Sequence, residues 1–193
     1  MELTKEYLEI QKDCIERNFA SYKRNIHDPV TIHRLNTLKS FINFYANLLV
    51  HPHIKILSVG SGGFEPVFIG SNFACDVDEI SYNLLRSQGW KGFFFPCSCD
   101  HIPYPNSYFS VAVCSEVIEH LPSDDIVSAT IKELNRVADH WIITTPIRDV
   151  QEPTHRKVFN APELKQLAGD IPCTLETKGL FFYLHNGERK IFD

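Results

Sequence analysis

The sequence predicts an α/β fold: a three-layer sandwich around a mostly parallel seven-stranded sheet that ends in an antiparallel hairpin. Three observations carry the prediction. The apolar run Lys55-Ile56-Leu57-Ser58-Val59 enters a turn with glycines at 60, 62 and 63. Such a run reads as a strand buried on both faces, the mark of a parallel sheet. From residue 55 onward, strand-like and helix-like stretches alternate, which covers both faces of one sheet with helices. Near the end, two apolar runs flank Asn186-Gly187, a dipeptide suited to a two-residue hairpin turn.

Each element follows from local pattern. Leu3, Tyr7, Leu8, Ile10, Cys14, Ile15 and Phe19 share a helical face and predict a helix over 3–24. Asp28 then Pro29 is a cap followed by a first-turn proline. Leu35, Leu38, Phe41, Ile42 and Tyr45 continue a second amphipathic helix, ended by His51-Pro52-His53. Strands are expected at 55–59, 73–76, 92–95, 109–114 and 141–144. Between them fall helices at 65–69, 79–87 (closed by Gly89) and 124–137, capped by Ser123 or Asp124. A last helix opens at Ala161-Pro162-Glu163-Leu164 and runs to Ala168. Residues 173–184 and 188–192 are expected as the final two strands, and Phe93-Phe94-Phe95 as a buried strand. The chain reads as one domain: a helical segment, 1–53, packing on the sheet or capping its ligand edge, and a core, 54–193.

Composition narrows the class. With 44% hydrophobic and 22% charged residues over 193 positions, a substantial core is available. A formal charge of −5 gives no electrostatic footprint for nucleic acid, so no nucleic-acid partner is expected. No run reaches the length of a membrane span, and the first residues contain no apolar signal region. The cysteines at 14, 75, 97, 99, 114 and 173 are therefore expected as reduced thiols of a cytoplasmic protein.

In such sheets ligands bind at the carboxyl ends of the strands, where strand order reverses. Those ends carry Gly60, Ser61 and Gly62; then Asp76; then Cys97, Ser98, Cys99 and Asp100; then Ser115, Glu116, Glu119 and His120. Glycines let the backbone approach a ligand. A carboxylate after the second strand is suited to ribose hydroxyls. The set is sized for a nucleoside.

From Ile54 to Leu167 the sequence resembles class I S-adenosylmethionine-dependent methyltransferases of the broad small-molecule group. Four segments carry the resemblance: Ile56-Leu57-Ser58-Val59-Gly60-Ser61-Gly62; Cys75-Asp76-Val77-Asp78; Ile102-Pro103-Tyr104-Pro105-Asn106-Ser107-Tyr108-Phe109; and Cys114-Ser115-Glu116-Val117-Ile118-Glu119-His120-Leu121. A fifth, Glu152 to Phe159 followed by Pro162-Glu163-Leu164, is similar to a segment many of these enzymes carry. The resemblance implies a Rossmann-like core, S-adenosyl-L-methionine as cofactor and methyl transfer, with a small molecule as the default acceptor. It implies that Ser58, Gly60, Ser61, Gly62 and Glu65 line the methionine end. Asp76 and Val77 would lie at the ribose, Ser98, Cys99 and Asp100 at the adenine, and Ser115 and Glu116 beside the sulfonium. His120 and His155 would face the acceptor and are the candidate bases, since imidazole titrates near neutrality.

Some positions depart from the family. An acid is usual at Ser58, glycine at Phe64, an acid at Ser98 and aspartate at Ser110. Glu65 and Asp100 are the candidate replacements for the missing acids. The same departures motivate an alternative, a methyltransferase-fold binding or activating subunit without catalysis. Other classes fit less well. A nicotinamide fingerprint needs glycine at 65, where glutamate stands. Cys97-x-Cys99-x-His101 lacks a second cysteine pair, so no metal is expected. The Gly-x-Ser-x-Gly elbow of serine hydrolases is missing.

Overall fold

The structure, a computed structural model, describes residues 28–48, 54–62, 64–148, 152–187 and 191–192, with residues 5, 9, 12, 13 and 16. These last five are helical and exposed; otherwise the helix expected over 3–24, like His51-Pro52-His53, lies outside the described residues.

Helix α1 (Pro29–Leu48) opens on Asp28, whose carboxylate accepts from the Thr31 amide and hydroxyl at 2.8 Å each. Strand β1 (Ile56–Val59) leads to α2 (Glu65–Ile69) and β2 (Phe73–Asp76). Then come α3 (Glu79–Ser87), β3 (Phe93–Pro96) and β4 (Phe109–Ser115). A 3₁₀ turn (Ile118–His120) precedes α4 (Asp124–Val137), capped by Ser123, and β5 (Ala138–Pro146). Helix α5 (Ala161–Ala168) starts in a reciprocal cap between Asn160 and Glu163, and β6 (Thr174–Lys178) and β7 (Phe181–His185) finish the sheet. Strand order is β3-β2-β1-β4-β5-β7-β6. The first five strands in that order pair in parallel, and β7 pairs antiparallel with both β5 and β6.

Strand periodicity divides the core between the faces. Val111 and Val113 of β4 join Leu38, Phe41 and Ile42 of α1. Ala112 and Cys114 point the other way, into a cluster with Val127, Ile131 and Leu134 of α4 and Leu164 of α5. Every residue of β4 is buried, as a central strand covered on both sides requires.

Three expectations change. The terminal hairpin turns at Gly179-Leu180, not at Asn186-Gly187. Gly179 has φ of 62°, as a glycine at the first central position of a two-residue hairpin turn allows. Asn186 instead clips the end of β7 to β5: its side-chain oxygen accepts from the Trp141 amide at 2.8 Å, and its amide donates to the Asp139 carbonyl at 3.0 Å. The expected strand 173–184 is accordingly two strands, and of 188–192 only 191 and 192 are described, outside any strand. Phe93 is not buried; β3 is an edge strand and leaves that ring 56% exposed. Strand β5 begins at Ala138, directly on the end of α4, and so is longer than expected.

The turn after β1 is pinned. The amides of Gly60 and Ser61 both donate to the Cys75 carbonyl, at 3.0 and 3.2 Å. Gly60 has φ of +64°, and a Cβ there would lie 2.5 Å from Val117 Cγ2. We expect Gly60→Ala to lose at least about 1–2 kcal/mol, the cost of a left-handed non-glycine residue, and more from the clash. Urea unfolding should show a lower midpoint at unchanged slope; equal midpoints would contradict the account.

Candidate functional site

A cavity of about 450 Å³ opens where β1 and β4 end. Its floor is the turn Gly60-Ser61-Gly62 with Ser115 and Glu116, the last residue of β4 and the one after it. Its roof is α1, through Val30, Thr31, Arg34 and Leu35, and the hairpin tip, Leu180-Phe181. Glu65, His120, Glu152 and His155 complete the walls. A Cβ on Gly62 would meet nothing nearer than the Gly60 carbonyl at 3.9 Å, so this turn borders open space.

Among the described residues that line the cavity, Arg34 is the one arginine or lysine, and the sequence reading missed it. Its guanidinium donates to Ser115 Oγ and to Glu65 Oε2, the latter at 3.4 Å, and lies 5.5 Å from the centre of the Phe181 ring. From Ser115 a relay continues to Thr144 Oγ1 at 2.8 Å, and the Thr144 hydroxyl donates to Glu116 Oε1 at 2.9 Å. Because Thr144 spends its proton on Glu116, Ser115 must donate to Thr144 and accept from Arg34. The Glu116 amide also donates to the Thr144 carbonyl at 3.0 Å, and these bonds hold Glu116 at φ of 57°. A left-handed glutamate costs of order 1–3 kcal/mol and persists where its surroundings over-determine it.

Burial raises the pKa of four carboxyls here. For Glu65 and Glu116 the Arg34 charge opposes the shift. For Asp76 the hydrogen bonds from Ser81, Gly62 and Val77 oppose it. Glu119, fully buried, is pushed well up by burial and by Glu116. His120 is lowered to about 4, by burial first and then by His155. Its Nδ1 lies 3.2 Å from the Thr154 carbonyl, which can only accept, so Nδ1 carries the proton. The rings of His120 and His155 are 4.7 Å apart and near-perpendicular.

The structure thus brings Gly60, Ser61, Gly62, Glu65, Ser115, Glu116, His120 and His155 around one cavity. Ser58 lies beneath it, fully buried, its hydroxyl donating to Glu65 Oε1 at 3.1 Å. Asp76 stands at the next strand end and anchors the glycine turn: Oδ2 accepts from the Gly62 amide at 3.3 Å and the Ser81 hydroxyl at 2.8 Å, and Oδ1 from the Val77 amide at 2.8 Å. Ser98 and Asp100 bond to each other after β3. The Cys99 side chain faces the core, where it accepts from Thr130 and burial pushes its thiol to about 12.

No family model matches the sequence, and no curated protein matches it either. Solved structures do match the fold. A Thermotoga maritima protein described as a S-adenosylmethionine-dependent methyltransferase and possible histamine N-methyltransferase superposes with a TM-score of 0.64 at 14% identity, over 89% of this chain and 96% of that one. Magnesium protoporphyrin IX methyltransferase from Synechocystis, solved with bound S-adenosylmethionine, gives 0.66 at 13%, over 96% and 98%. The 1,6-didemethyltoxoflavin-N1-methyltransferase of Burkholderia thailandensis, solved with bound 1,6-didemethyltoxoflavin and S-adenosylhomocysteine, gives 0.66 at 14%, over 96% and 90%. The chain therefore has the class I S-adenosylmethionine-dependent methyltransferase fold. Among the described residues, no helix is long and apolar enough to cross a membrane.

The raised pKa of Glu65 has a measurable sign. Below the ordinary glutamate value of 4.5 this side chain is protonated in both folded and unfolded states. Above it the unfolded chain ionises first, so the stability contributed at Glu65 falls until pH passes the higher folded value. Glu65→Gln retains the acceptor for Ser58 and cannot ionise. Wild type should therefore lose stability relative to this variant as pH rises from 4.5. Urea unfolding across pH checks it; a constant difference would refute the assignment.

Proposed function

We propose that the chain is an S-adenosylmethionine-dependent methyltransferase acting on a small-molecule acceptor, within the cytoplasm. The observation that carries the reading is the charge pattern of the cavity: one guanidinium, Arg34, between Glu65 and Glu116 above a bare glycine turn. That pattern complements an amino-acid zwitterion next to a positive sulfur. The open space at Gly62 and its left-handed φ of +51° fit a backbone cradle.

Bound there, S-adenosylmethionine would supply a methyl group on a positively charged sulfur that leaves as a neutral thioether. Arg34 has five N–H donors, so it can hold a ligand carboxylate and keep its contact with Ser115. Glu65, aimed by Ser58, faces the ammonium and takes the place of the acid missing at 58. Glu116, aimed by Thr144, lies beside the sulfonium. Ser61 lies with Gly60 and Gly62 at the methionine end. Asp76 has one further lone pair on Oδ1 for a ribose hydroxyl, with Val77 alongside. Ser98, Asp100 and the Cys99 backbone border the adenine. Helix α1 caps the cofactor edge and excludes water from the charges. Alignment then supplies most of the rate, because the leaving group needs no activation. His120 and His155 form the acceptor wall. A ring with a pKa near 4 is poorly matched to proton removal at neutral pH, so His120 is assigned to contact with the acceptor. The thiols of Cys75, Cys97, Cys99, Cys114 and Cys173 fit the reducing cytoplasm.

Calorimetry with S-adenosylhomocysteine tests the cofactor. Wild type should bind, and Arg34→Gln should weaken binding about 10- to 100-fold, as loss of a charged hydrogen bond does. Methyl-labelled S-adenosylmethionine with a metabolite extract tests the transfer: label should move to a small molecule with wild type and not with Gly62→Val. A wild type that binds neither form of the cofactor overturns the proposal. Binding without transfer would favour the non-catalytic subunit.

A further inference from the structure

We propose that Glu119, His120 and His155 form a binding site for one divalent transition-metal ion at the acceptor end of the cavity. Among the described residues, one ligand atom from each lies within 4.8 Å of the others, within reach of one ion after side-chain adjustment. Glu119 supplies the second observation. It is fully buried, and among the described residues no group donates to its Oε1, while Oε2 is held by the Thr145 hydroxyl at 3.1 Å. A buried carboxylate oxygen without a donor is costly unless a cation or proton meets it.

The surroundings are built as metal sites are. With Nδ1 of His120 donating to the Thr154 carbonyl, the ring's lone pair is on Nε2, so a backbone oxygen fixes the tautomer of a ligand. The Thr145 hydroxyl likewise orients the carboxylate. The loop with His155 is fastened to the turn with the other two ligands. The Arg156 and Lys157 amides donate to the Glu119 carbonyl at 2.8 and 3.3 Å, and Arg156 also donates to the Leu121 carbonyl. Lys157 and Arg156 reach Asp124 at 3.0 and 2.7 Å, on the first turn of α4. Two imidazoles and one carboxylate select zinc, manganese, cobalt or iron(II) over magnesium or calcium, which prefer all-oxygen sites. Three protein ligands leave open coordination positions, as catalytic rather than structural sites do. His120 and His155 line the cavity, so those positions face it. This site is separate from the cysteine set considered in the sequence, because it joins residues 35 apart across two loops.

The full chain, stripped with a chelator and dialysed free of it, is titrated with Co²⁺ and followed by visible absorption, then challenged with Zn²⁺. One equivalent of Co²⁺ should produce d–d bands that Zn²⁺ removes. Glu119→Gln, which keeps the Thr145 hydrogen bond, and His155→Ala, on a partly exposed loop, should each weaken binding at least about tenfold with circular dichroism unchanged. Wild type without d–d bands, or folded variants with undiminished affinity, would overturn the site. S-adenosylhomocysteine calorimetry on the stripped chain separates the two proposals. Binding of that ligand without Co²⁺ binding overturns the metal site alone, and Co²⁺ binding without it overturns the methyl-transfer reading alone.

Discussion

Parallel hydrogen bonding of β1 to a neighbour on each side is the constraint on which the structure depends. β1 pairs with β2 through Leu57, Ser58 and Val59, and with β4 from Ile56 to Val59. Its backbone is spent in both directions, and Leu57, Ser58 and Val59 are no more than 1% exposed. The chain can change direction only beyond Val59, and it does so at Gly60. From there one path goes to β2 and, later in the chain, another leaves β4 on the opposite side. Those diverging exits leave a crevice between them, the position where open α/β sheets receive ligands.

The same geometry concentrates acids. Parallel strands all end at one edge, so the residues following β1, β2 and β4 become neighbours whatever their distance in sequence. Glu65, Asp76, Glu116 and Glu119 are gathered there, and burial disfavours the charge of each. Three devices offset the cost. Arg34 brings positive charge from α1, Asp76 collects two amides and a hydroxyl, and Thr144 supports Glu116. What they leave unmet is supplied by a proton or by a cation in the cavity.

Much of this was legible before any coordinates. Helices 65–69, 79–87 and 161–168 stand at their expected bounds because caps, prolines and apolar spacing agree there. The hairpin did not, because Asn186-Gly187 is a stronger turn signal than Gly179-Leu180. Cross-strand pairing of 174–178 with 181–185 overrides dipeptide preference, and Asn186 is used to join strands. Phe93 was misread because an apolar run does not show whether its strand is central or at an edge. Arg34 had no local signature: one arginine beside Leu35 and Leu38 looks like the solvated edge of an amphipathic helix. Only the packing of α1 over β4 reveals that it points at carboxylates. The cluster of Glu119, His120 and His155 was equally hidden, since proximity between residue 120 and residue 155 depends on how two loops fold back.

The cavity is roofed by two segments that flank the parallel strands in sequence. Helix α1 supplies Arg34, the β6–β7 turn supplies Leu180, and the start of β7 supplies Phe181, the ring beneath that guanidinium. Leu38 and Ile42 share their apolar cluster with Val111, Val113, Ile142 and Tyr183, so α1 is seated on central strands and on β7 together. A fragment holding only the five parallel strands would keep the glycine turn and the acids. It would lack their counter-charge and would bare valines that belong to the interior. The counter-charge in the pocket therefore comes from outside the parallel strands: they make the crevice, and Arg34 of α1 brings it positive charge.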